Sequence, residues 1–247
     1  MRIFCYFVEP ASYTLDIARN IHDKNKIDYC FMKSKTLAVS DSSSNKAFLD
    51  RLSSFSKLYF IVSQFKKNEF IIINGYNNYP FVITFLLNVF SLRKRFIATD
   101  SDTQLSVPNN LLKRFFKWLY LSIIFSNKYV LGFAGGNHSH KDLFRYYGME
   151  EDRIFLIPMM VDNSKFYQED KSFPDIFTFL YVGRLVKHKN VESLIKQFNN
   201  IFSSKSAVLK IIGSGEEEYY LKKKYSSDKV LFLGKMFNDD LIEKFRN

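Results

Sequence analysis

Residues 181–190 read YVGRLVKHKN and join a mostly apolar, strand-like run to an amphipathic helix. The run covers residues 177–182, and Gly183 then permits a sharp turn of the backbone. After the turn, apolar side chains recur at helical spacing, at Val191, Leu194, Ile195, Phe198 and Phe202. Ligands of open α/β sheets bind at the carboxyl ends of the strands, so Arg184 and Lys189 would meet a helix N-terminus in one crevice. This stretch predicts an anion site, with phosphate as the expected anion.

The pattern of strand, glycine and helix occurs twice more towards the C-terminus. A predicted strand over residues 207–212 ends in GSG at residues 213–215, and a charged helix follows over residues 216–224. A predicted strand over residues 229–233 ends at Gly234, and a last helix follows it. Three such units in succession indicate a parallel sheet with helical crossovers.

The N-terminal part of the chain shows the same alternation of strands and helices. Strands are predicted at residues 3–8, 29–32, 70–73, 96–98, 128–131 and 154–157, and helices at residues 13–22, 46–65, 80–92, 109–125 and 141–147. The turn after the first strand reads EPAS at residues 9–12 and has none of the clustered glycines of a dinucleotide fingerprint. We therefore expect a Rossmann-like α/β domain here, with the main phosphate site elsewhere.

The length and composition allow one large domain or two medium ones. The chain has 247 residues, and 47% of them are hydrophobic, which is enough to bury a substantial core. Pro158, Asp162 and Asn163 precede a polar run at residues 168–172, and this composition is typical of a domain boundary. We predict an N-terminal domain over residues 1–164, a linker over residues 165–173 and a second domain over residues 174–247.

Two carboxylates follow the predicted strand at residues 96–98. Asp100 and Asp102 would lie at the carboxyl end of that strand, where they can accept hydrogen bonds from sugar hydroxyls or orient an acceptor. The alternative is an Asx-type cap of the following loop, which needs no ligand.

A glycine-rich and histidine-rich loop, GFAGGNHSH at residues 132–140, follows the next predicted strand. Gly135 and Gly136 beside His138 predict close approach of the backbone to a ligand. His138 and His140 are spaced as two metal ligands can be, but no carboxylate or cysteine nearby in the sequence completes a site. We expect no metal.

The predicted helix at residues 109–125 is apolar around most of its circumference. Lys113, Arg114 and Lys117 have spacings that group them on one face. A basic and aromatic helix of this kind can lie in a membrane interface. The alternative is a core helix with one solvated stripe.

The net charge of +11 and the sequence pI of about 9.4 favour anionic partners, such as nucleotides, lipid headgroups or nucleic acid. We expect no nucleic acid as a partner, because no zinc site, recognition-helix pattern or basic-aromatic sheet motif accompanies the charge.

Cys5 and Cys30 are the only cysteines, which favours a reducing compartment. The longest apolar run, residues 80–92, is shorter than the roughly 20 residues of a membrane-spanning helix. We expect a cytoplasmic protein, peripheral on the inner face of the cell membrane.

Four motifs occur in a fixed order between Gly148 and Gly234. They are Gly148, Arg153, Ile154, Ile157, Pro158, Val161, Asp162, Asn163 and Phe166; then Gly183, Arg184, Leu185, Lys189 and Asn190; then Leu209, Ile212, Gly213, Ser214 and Gly215; then Val230, Leu231, Phe232, Leu233 and Gly234. With these motifs the chain resembles glycosyltransferases of the GT-B fold and is similar to the retaining enzymes of family 4, the glycosyl transferases group 1. The resemblance implies two Rossmann-like domains and transfer of a sugar from a nucleotide diphosphate donor without a required metal.

The resemblance also implies roles for individual residues. Arg184 and Lys189 match the catalytic positions that hold the donor diphosphate, where two cations offset the charge that grows on the leaving group. The donor-side backbone positions are Gly183, Gly213, Ser214, Gly215 and Gly234. By analogy of position, Asp100 is the third catalytic candidate. The acceptor or cleft side would include Asp102, Gly135, Gly136 and His138.

One motif of the family is missing from the sequence. Two glutamates separated by seven residues, one of which contacts the donor ribose, are expected downstream of Gly234, and the chain reaches Asn247 without them. We therefore expect a C-terminal domain that is incomplete. The expected function is transfer of a sugar to a glycan or lipid-linked acceptor in surface polysaccharide biosynthesis. The alternative is an inactive truncated remnant, or one subunit of a split enzyme that needs a partner chain to complete its C-terminal domain.

Overall fold

The structure is a computed structural model that describes residues 1–34, 48–158, 176–202, 206–236 and 238–246. The chain divides into two compact units, Met1–Val161 and Asp162–Asn247. The predicted linker, residues 165–173, and the predicted domain limit at residue 164 lie outside the described residues. Both units are α/β assemblies with a parallel sheet, as the sequence predicts.

The N-terminal unit alternates strands and helices. The strands are β1 (Ile3–Phe7), β2 (Asp28–Phe31), β3 (Phe70–Ile73), β4 (Phe96–Ser101), β5 (Val130–Ala134) and β6 (Ile154–Leu156). The helices are α1 (Ser12–Asn25), α2 (Ser54–Lys67), α3 (Tyr79–Phe90), α4 (Leu111–Phe125) and α5 (Lys141–Tyr146). All six strands pair in parallel in the order β2-β1-β3-β4-β5-β6.

Helices α2, α3, α4 and α5 share one face of this sheet. Their side chains Ile61, Phe81, Leu121 and Leu143 belong to a single core cluster with the sheet residues Ile71, Ile97 and Val130. Helix α1 packs on the other face, where its Leu15 and Ala18 join Cys5 and Phe31 in a separate cluster. The two clusters make the sheet a layered core of the kind that buries parallel strands.

Three helices of this unit, α2, α3 and α4, begin where a side chain caps them. Ser53, Asn78 and Asn110 each accept a hydrogen bond from a backbone N–H in the first turn of α2, α3 and α4. The predicted start of the second helix at residue 46 is wrong, since Phe48 is extended, a 3-10 turn follows at Leu49–Arg51, and the Ser53 cap sets the helix start at Ser54.

Two strand predictions also differ from the structure. Strand β4 continues to Ser101, so Asp100 lies within the strand and not after it. Strand β5 continues to Ala134, so Gly132 is a strand residue and not part of the predicted loop. A Cβ atom at Gly132 would lie 2.7 Å from a ring carbon of Phe144 on α5, and this close approach is the physical reason for the glycine.

Helix α4 is packed mainly through its last turn. Leu121, Ile124 and Phe125 are its buried residues, whereas none of the residues from 111 to 120 is buried. The exposed fraction is 76% for Leu111 and 64% for Phe116. A core helix with one solvated stripe, the alternative interpretation, does not fit this exposure. Among the described helices, none has both the length and the apolarity to cross a bilayer.

The C-terminal unit has three parallel strands in the order β7-β8-β9. Its elements are β7 (Phe177–Val182), α6 (Val191–Ile201), β8 (Ala207–Ile212), α7 (Glu218–Tyr225), β9 (Val230–Gly234) and α8 (Asn238–Arg246). Val191, Ile195 and Phe198 are buried against the sheet as their spacing predicts, but Leu194 is 40% exposed, so its place on the apolar face was wrong. The three predicted strand–glycine–helix units are therefore present in the described part of this unit.

Candidate functional site

The turn between β7 and α6 presents cations from an anchored backbone. Leu185 and Val186 are buried and hold the turn to the core of the C-terminal unit. Arg184 directly precedes this buried pair, and the 3-10 turn Lys187–Lys189 directly follows it. The side chains of Arg184 and Lys189 are exposed, and neither forms an ion pair within the described residues. In the part of the chain that the structure describes, both cations are thus available to bind an anion.

The ends of the three strands of this unit are hydrogen-bonded to one another. Gly183 N–H donates to Ile212 O at 3.0 Å, Leu185 N–H to Ser214 O at 3.0 Å, and Gly213 N–H to Gly234 O at 2.9 Å. The backbone segments at all five sequence-predicted donor positions therefore lie at one edge of the sheet, the carboxyl edge, where ligands of α/β folds bind.

Glycine is required where the loop after β8 lies on the loop after β7. Gly213 has a φ of 145°, and a Cβ atom there would overlap the carbonyl oxygen of Gly183. A Cβ atom at Gly215 would overlap the carbonyl oxygen of Leu185. Gly234 has a φ of 74° but open space around it, so its requirement is conformational and not steric.

The N-terminus of α6 continues directly from the cationic turn. Asn190 has a left-handed backbone with a φ of 51°, and its side chain caps no backbone N–H of the helix. Its Oδ1 instead accepts from the Ser193 hydroxyl at 2.8 Å. The N–H groups of the first turn of a helix have no partner within the helix and carry partial positive charge, so they favour an anion.

Glu192 is the acidic residue of this first turn, and its carboxylate is engaged elsewhere. It accepts hydrogen bonds from the Tyr225 hydroxyl at 2.6 Å and from Lys224 Nζ at 3.2 Å, and Lys196 pairs with it at 3.2 Å. Hydrogen bonds from Tyr225, Lys224, Lys196 and Tyr220 lower the pKa of Glu192 to about 2. Its negative charge is therefore offset by neighbouring cations on α6 and α7.

The arrangement in the C-terminal unit suits a phosphate group. An arginine guanidinium offers a planar fork to two phosphate oxygens, and a lysine ammonium offers a compact point charge. Lys187 and His188 lie in the same 3-10 turn and were missed as candidates, although the KHK run in the sequence places them between Val186 and Asn190.

Asp100 in the N-terminal unit connects β4 to the loop after β3. Its carboxylate accepts from Asn74 Nδ2 at 2.5 Å and from the Gly75 N–H at 2.6 Å. Burial raises the pKa of Asp100, while these two hydrogen bonds act in the opposite direction. The Asx-type alternative, a cap of the loop that follows Asp100, was wrong for this residue, because its partners precede it in the chain. Asn74 and Gly75 were missed as site residues. The sequence feature that could have indicated them is the end of the apolar strand pattern after residue 73.

Asp102 and Gly135 lie together at the same edge of this sheet. Gly135 N–H donates to Ser101 O at 2.9 Å, and a Cβ atom at Gly135 would lie 3.6 Å from Asp102 Cα. Gln104 Nε2 donates to Ser139 Oγ at 3.1 Å, which connects the same two loops. The structure thus joins Asp102 to the glycine loop, whereas the Asp100 carboxylate binds a different loop.

The histidines of this loop differ in their surroundings. His138 is exposed in the 3-10 turn His138–His140, whereas His140 Nδ1 accepts from the Asn137 N–H at 3.1 Å. A Cβ atom at Gly136 would overlap the His140 ring, so this glycine allows close packing of a side chain of its own loop. In the described ranges, no cluster of three or more His, Cys, Asp or Glu residues could hold a metal ion.

Comparison with known proteins gives a family match and several fold matches. Residues 163–247 match the family described as glycosyl transferases group 1. No curated protein is similar enough to the chain to count as a match. Among solved structures, a lipopolysaccharide outer core galactosyltransferase, WaaB in its apo form, is similar with 16% identity and a TM-score of 0.60, covering 96% of this chain and 68% of that one.

Two further solved structures are from S. aureus. A co-structure of MnaA with UDP has 10% identity and a TM-score of 0.56, covering 100% of this chain and 71% of that one. A TarM complex with fondaparinux, alpha-GlcNAc-glycerol and UDP has 13% identity and a TM-score of 0.50, covering 72% of this chain and 36% of that one. These comparisons confirm the predicted resemblance to GT-B glycosyltransferases and the fold of two Rossmann-like domains. The family match over residues 163–247 supports a sugar transferase as the general class.

Proposed function

We propose that this protein is a retaining glycosyltransferase that moves a sugar, of the hexose type, from a nucleotide diphosphate donor to a glycan or lipid-linked acceptor. The observation that carries the proposal is the interlocked carboxyl edge of the C-terminal sheet. There, Gly183, Gly213 and Gly215 bring two loops together beside Arg184 and Lys189. These residues lie within the range that matches the family model.

In this proposal Arg184 and Lys189 hold the donor diphosphate. Both cations bind its oxygens and stabilise the negative charge that develops as the glycosidic bond breaks. The N–H groups of the first turn of α6 add partial positive charge from the backbone. The reaction uses no metal, because these groups supply the charge that a cation would otherwise provide. UDP is the first nucleotide to test, since two of the similar structures contain it.

The N-terminal unit serves the acceptor in this proposal. Asp102 and the loop with Gly135, Gly136 and His138 would meet the acceptor sugar, and Asp100 would act from the end of β4. Asp100 acts as an acceptor of hydrogen bonds or as an orienting group, because its carboxylate already binds Asn74 and Gly75.

Helix α4 would bring the enzyme to a lipid-linked acceptor at the inner face of the membrane. Its exposed apolar residues Leu111, Phe116 and Trp118 lie beside the exposed cations Lys113 and Arg114. This combination favours binding to an anionic interface. Such a location fits a role in the biosynthesis of a surface polysaccharide.

A screen for sugar transfer tests the proposal. Purified protein is incubated with nucleotide sugars and with glycan or lipid-linked acceptors, and products are detected by mass spectrometry, with the anomeric configuration read by NMR. We expect a product whose anomeric configuration matches the donor, and no product from the Arg184→Ala variant. Absence of both donor binding and transfer by the wild-type chain across the panel would refute the proposal.

A further inference from the structure

A second apolar feature of the N-terminal unit lies between α2 and α3, apart from α4. The two helices line an open groove with a volume of about 490 Å³. Its apolar wall consists of Val62, Phe65, Ile83, Leu86, Leu87 and Phe90. The proposed transfer reaction makes no use of this groove.

Cations surround the end of the groove where both helices terminate. Arg95 lines the groove and is only 6% exposed, and its guanidinium donates to the carbonyl oxygens of Phe65 and Lys66 at the end of α2. Lys66 also lines the groove, Lys67 follows it, and both side chains are exposed. Within the described residues, no carboxylate forms an ion pair with any of these three cations.

Exposed apolar residues extend from the same end. Phe90 is 83% exposed and Leu92 is fully exposed, and Arg93 and Lys94 follow them directly in the chain. Arg93 pairs with Glu69 at 3.3 Å, and Lys94 Nζ donates to the carbonyl oxygens of Asn88 and Val89, so these two cations are partly engaged by the protein. Lysine and arginine side chains can keep their charges at the headgroups while apolar neighbours enter the acyl region. Exposed apolar side chains next to cations are therefore better accommodated at a lipid surface than in water.

We propose that the α2–α3 groove binds an acyl chain of an anionic membrane phospholipid, whose phosphate is held by Lys66 and Lys67. The charge of the rim selects an anionic headgroup, and the apolar wall accepts the chain. Helices α2, α3 and α4 pack on the same face of the sheet, so the groove and the exposed part of α4 belong to one helical layer. Two weak membrane contacts in one layer give the stable attachment that a single contact does not provide.

The groove can be tested separately from α4 and from the donor site. Trp118 is the only tryptophan of the chain, so Trp118→Phe removes the native emission and Phe90→Trp then reports from the groove. Because Phe90 is largely exposed, this substitution leaves the core intact. The matched control is Phe155→Trp in the same background, since Phe155 is 45% exposed and contacts Phe133 on the sheet face opposite α2 and α3.

Vesicles of phosphatidylglycerol with brominated acyl chains are the probe. We expect the emission of the Phe90→Trp variant to shift to shorter wavelength and to be quenched, while the Phe155→Trp control is unaffected. Lys66→Gln and Lys67→Gln should each weaken vesicle affinity about fivefold, and added salt should weaken it further. UDP binding should remain unchanged in these variants, so a failure here is distinguishable from a failure of the proposed transferase function. Equal quenching by uncharged phosphatidylcholine vesicles, or no quenching by either, would overturn the proposal and leave the groove to a protein helix.

Discussion

Replacing Gly213 with alanine should destabilise the C-terminal unit more than any other single glycine substitution at its sheet edge. Two costs combine there. A φ of 145° is strained for any residue with a Cβ atom, and the added methyl group would overlap the Gly183 carbonyl, which is backbone and cannot rotate away. Strained backbone costs about 1–3 kcal/mol and overpacking about 1–3 kcal/mol, so the free energy of unfolding should fall by about 2–6 kcal/mol.

Two other glycines separate these costs. Gly234→Ala retains the conformational strain at a φ of 74° but meets open space, so we expect a loss of about 1–2 kcal/mol. Gly135→Ala in the N-terminal unit would place its Cβ atom 3.4 Å from the Ser101 carbonyl oxygen and serves as a control in the other unit, with the C-terminal unit unaffected.

Hydrogen-exchange mass spectrometry in urea measures this effect for each unit. Peptides from residues 206–236 report the C-terminal unit, and Trp118 emission reports the N-terminal unit. We expect early exchange in these peptides of the Gly213→Ala variant, with Trp118 emission unchanged. If Gly213→Ala is no more destabilising than Gly234→Ala, the close contact between the two loops is refuted.

Three further predictions concern α4, Asp100 and metal. Trp118 emission should shift to shorter wavelength with anionic vesicles, and Phe116→Asp should abolish the shift; an equal shift in that variant would contradict the α4 interface. Burial raises the pKa of Asp100 above its ordinary 3.8, so its contribution to stability is complete below about pH 4 and is lost as pH rises through the folded-state pKa. In the wild type, the urea midpoint of unfolding should therefore fall as pH rises above 4, and this fall should be smaller in Asp100→Asn. An equal fall in both proteins would exclude Asp100 as its cause. EDTA should leave the transfer rate unchanged, whereas a loss that Mg²⁺ restores would refute the metal-free mechanism.

The elements around residues 181–190 could be predicted because their signals are local. Val191, Ile195 and Phe198 share a helical period and are buried together, while Gly183 and Gly213 follow their strands directly. Leu194 shares the same period and is nonetheless exposed, because the stripe that contacts the sheet is narrower than the apolar pattern. Local periodicity indicates which helices and strands form, but not how much of each is buried by the rest of the protein.

The environment of Asp100 could not be predicted in this way. Its partners Asn74 and Gly75 lie after a strand that becomes its neighbour only through the sheet order β3-β4. Gly213 is a similar case, since the sequence shows a glycine but not the Gly183 carbonyl that requires it. Helix α4 left two interpretations open; the exposure of Leu111 and Phe116 excludes the core helix, and the membrane contact stays a proposal. In each case the missing information is a contact between segments that are distant in the chain.

Calorimetric titration of nucleoside diphosphates tests most directly whether Arg184 and Lys189 hold the donor. UDP is titrated first, followed by the adenosine and guanosine diphosphates, into the wild-type chain and into Arg184→Ala, Lys189→Ala and the control Lys222→Ala, which removes an exposed charge from α7. A charged hydrogen bond contributes about 1.5–3 kcal/mol, so each of the first two variants should bind about 10- to 150-fold more weakly, and the control should bind like the wild type. Unchanged affinity in both Arg184→Ala and Lys189→Ala would contradict the assignment.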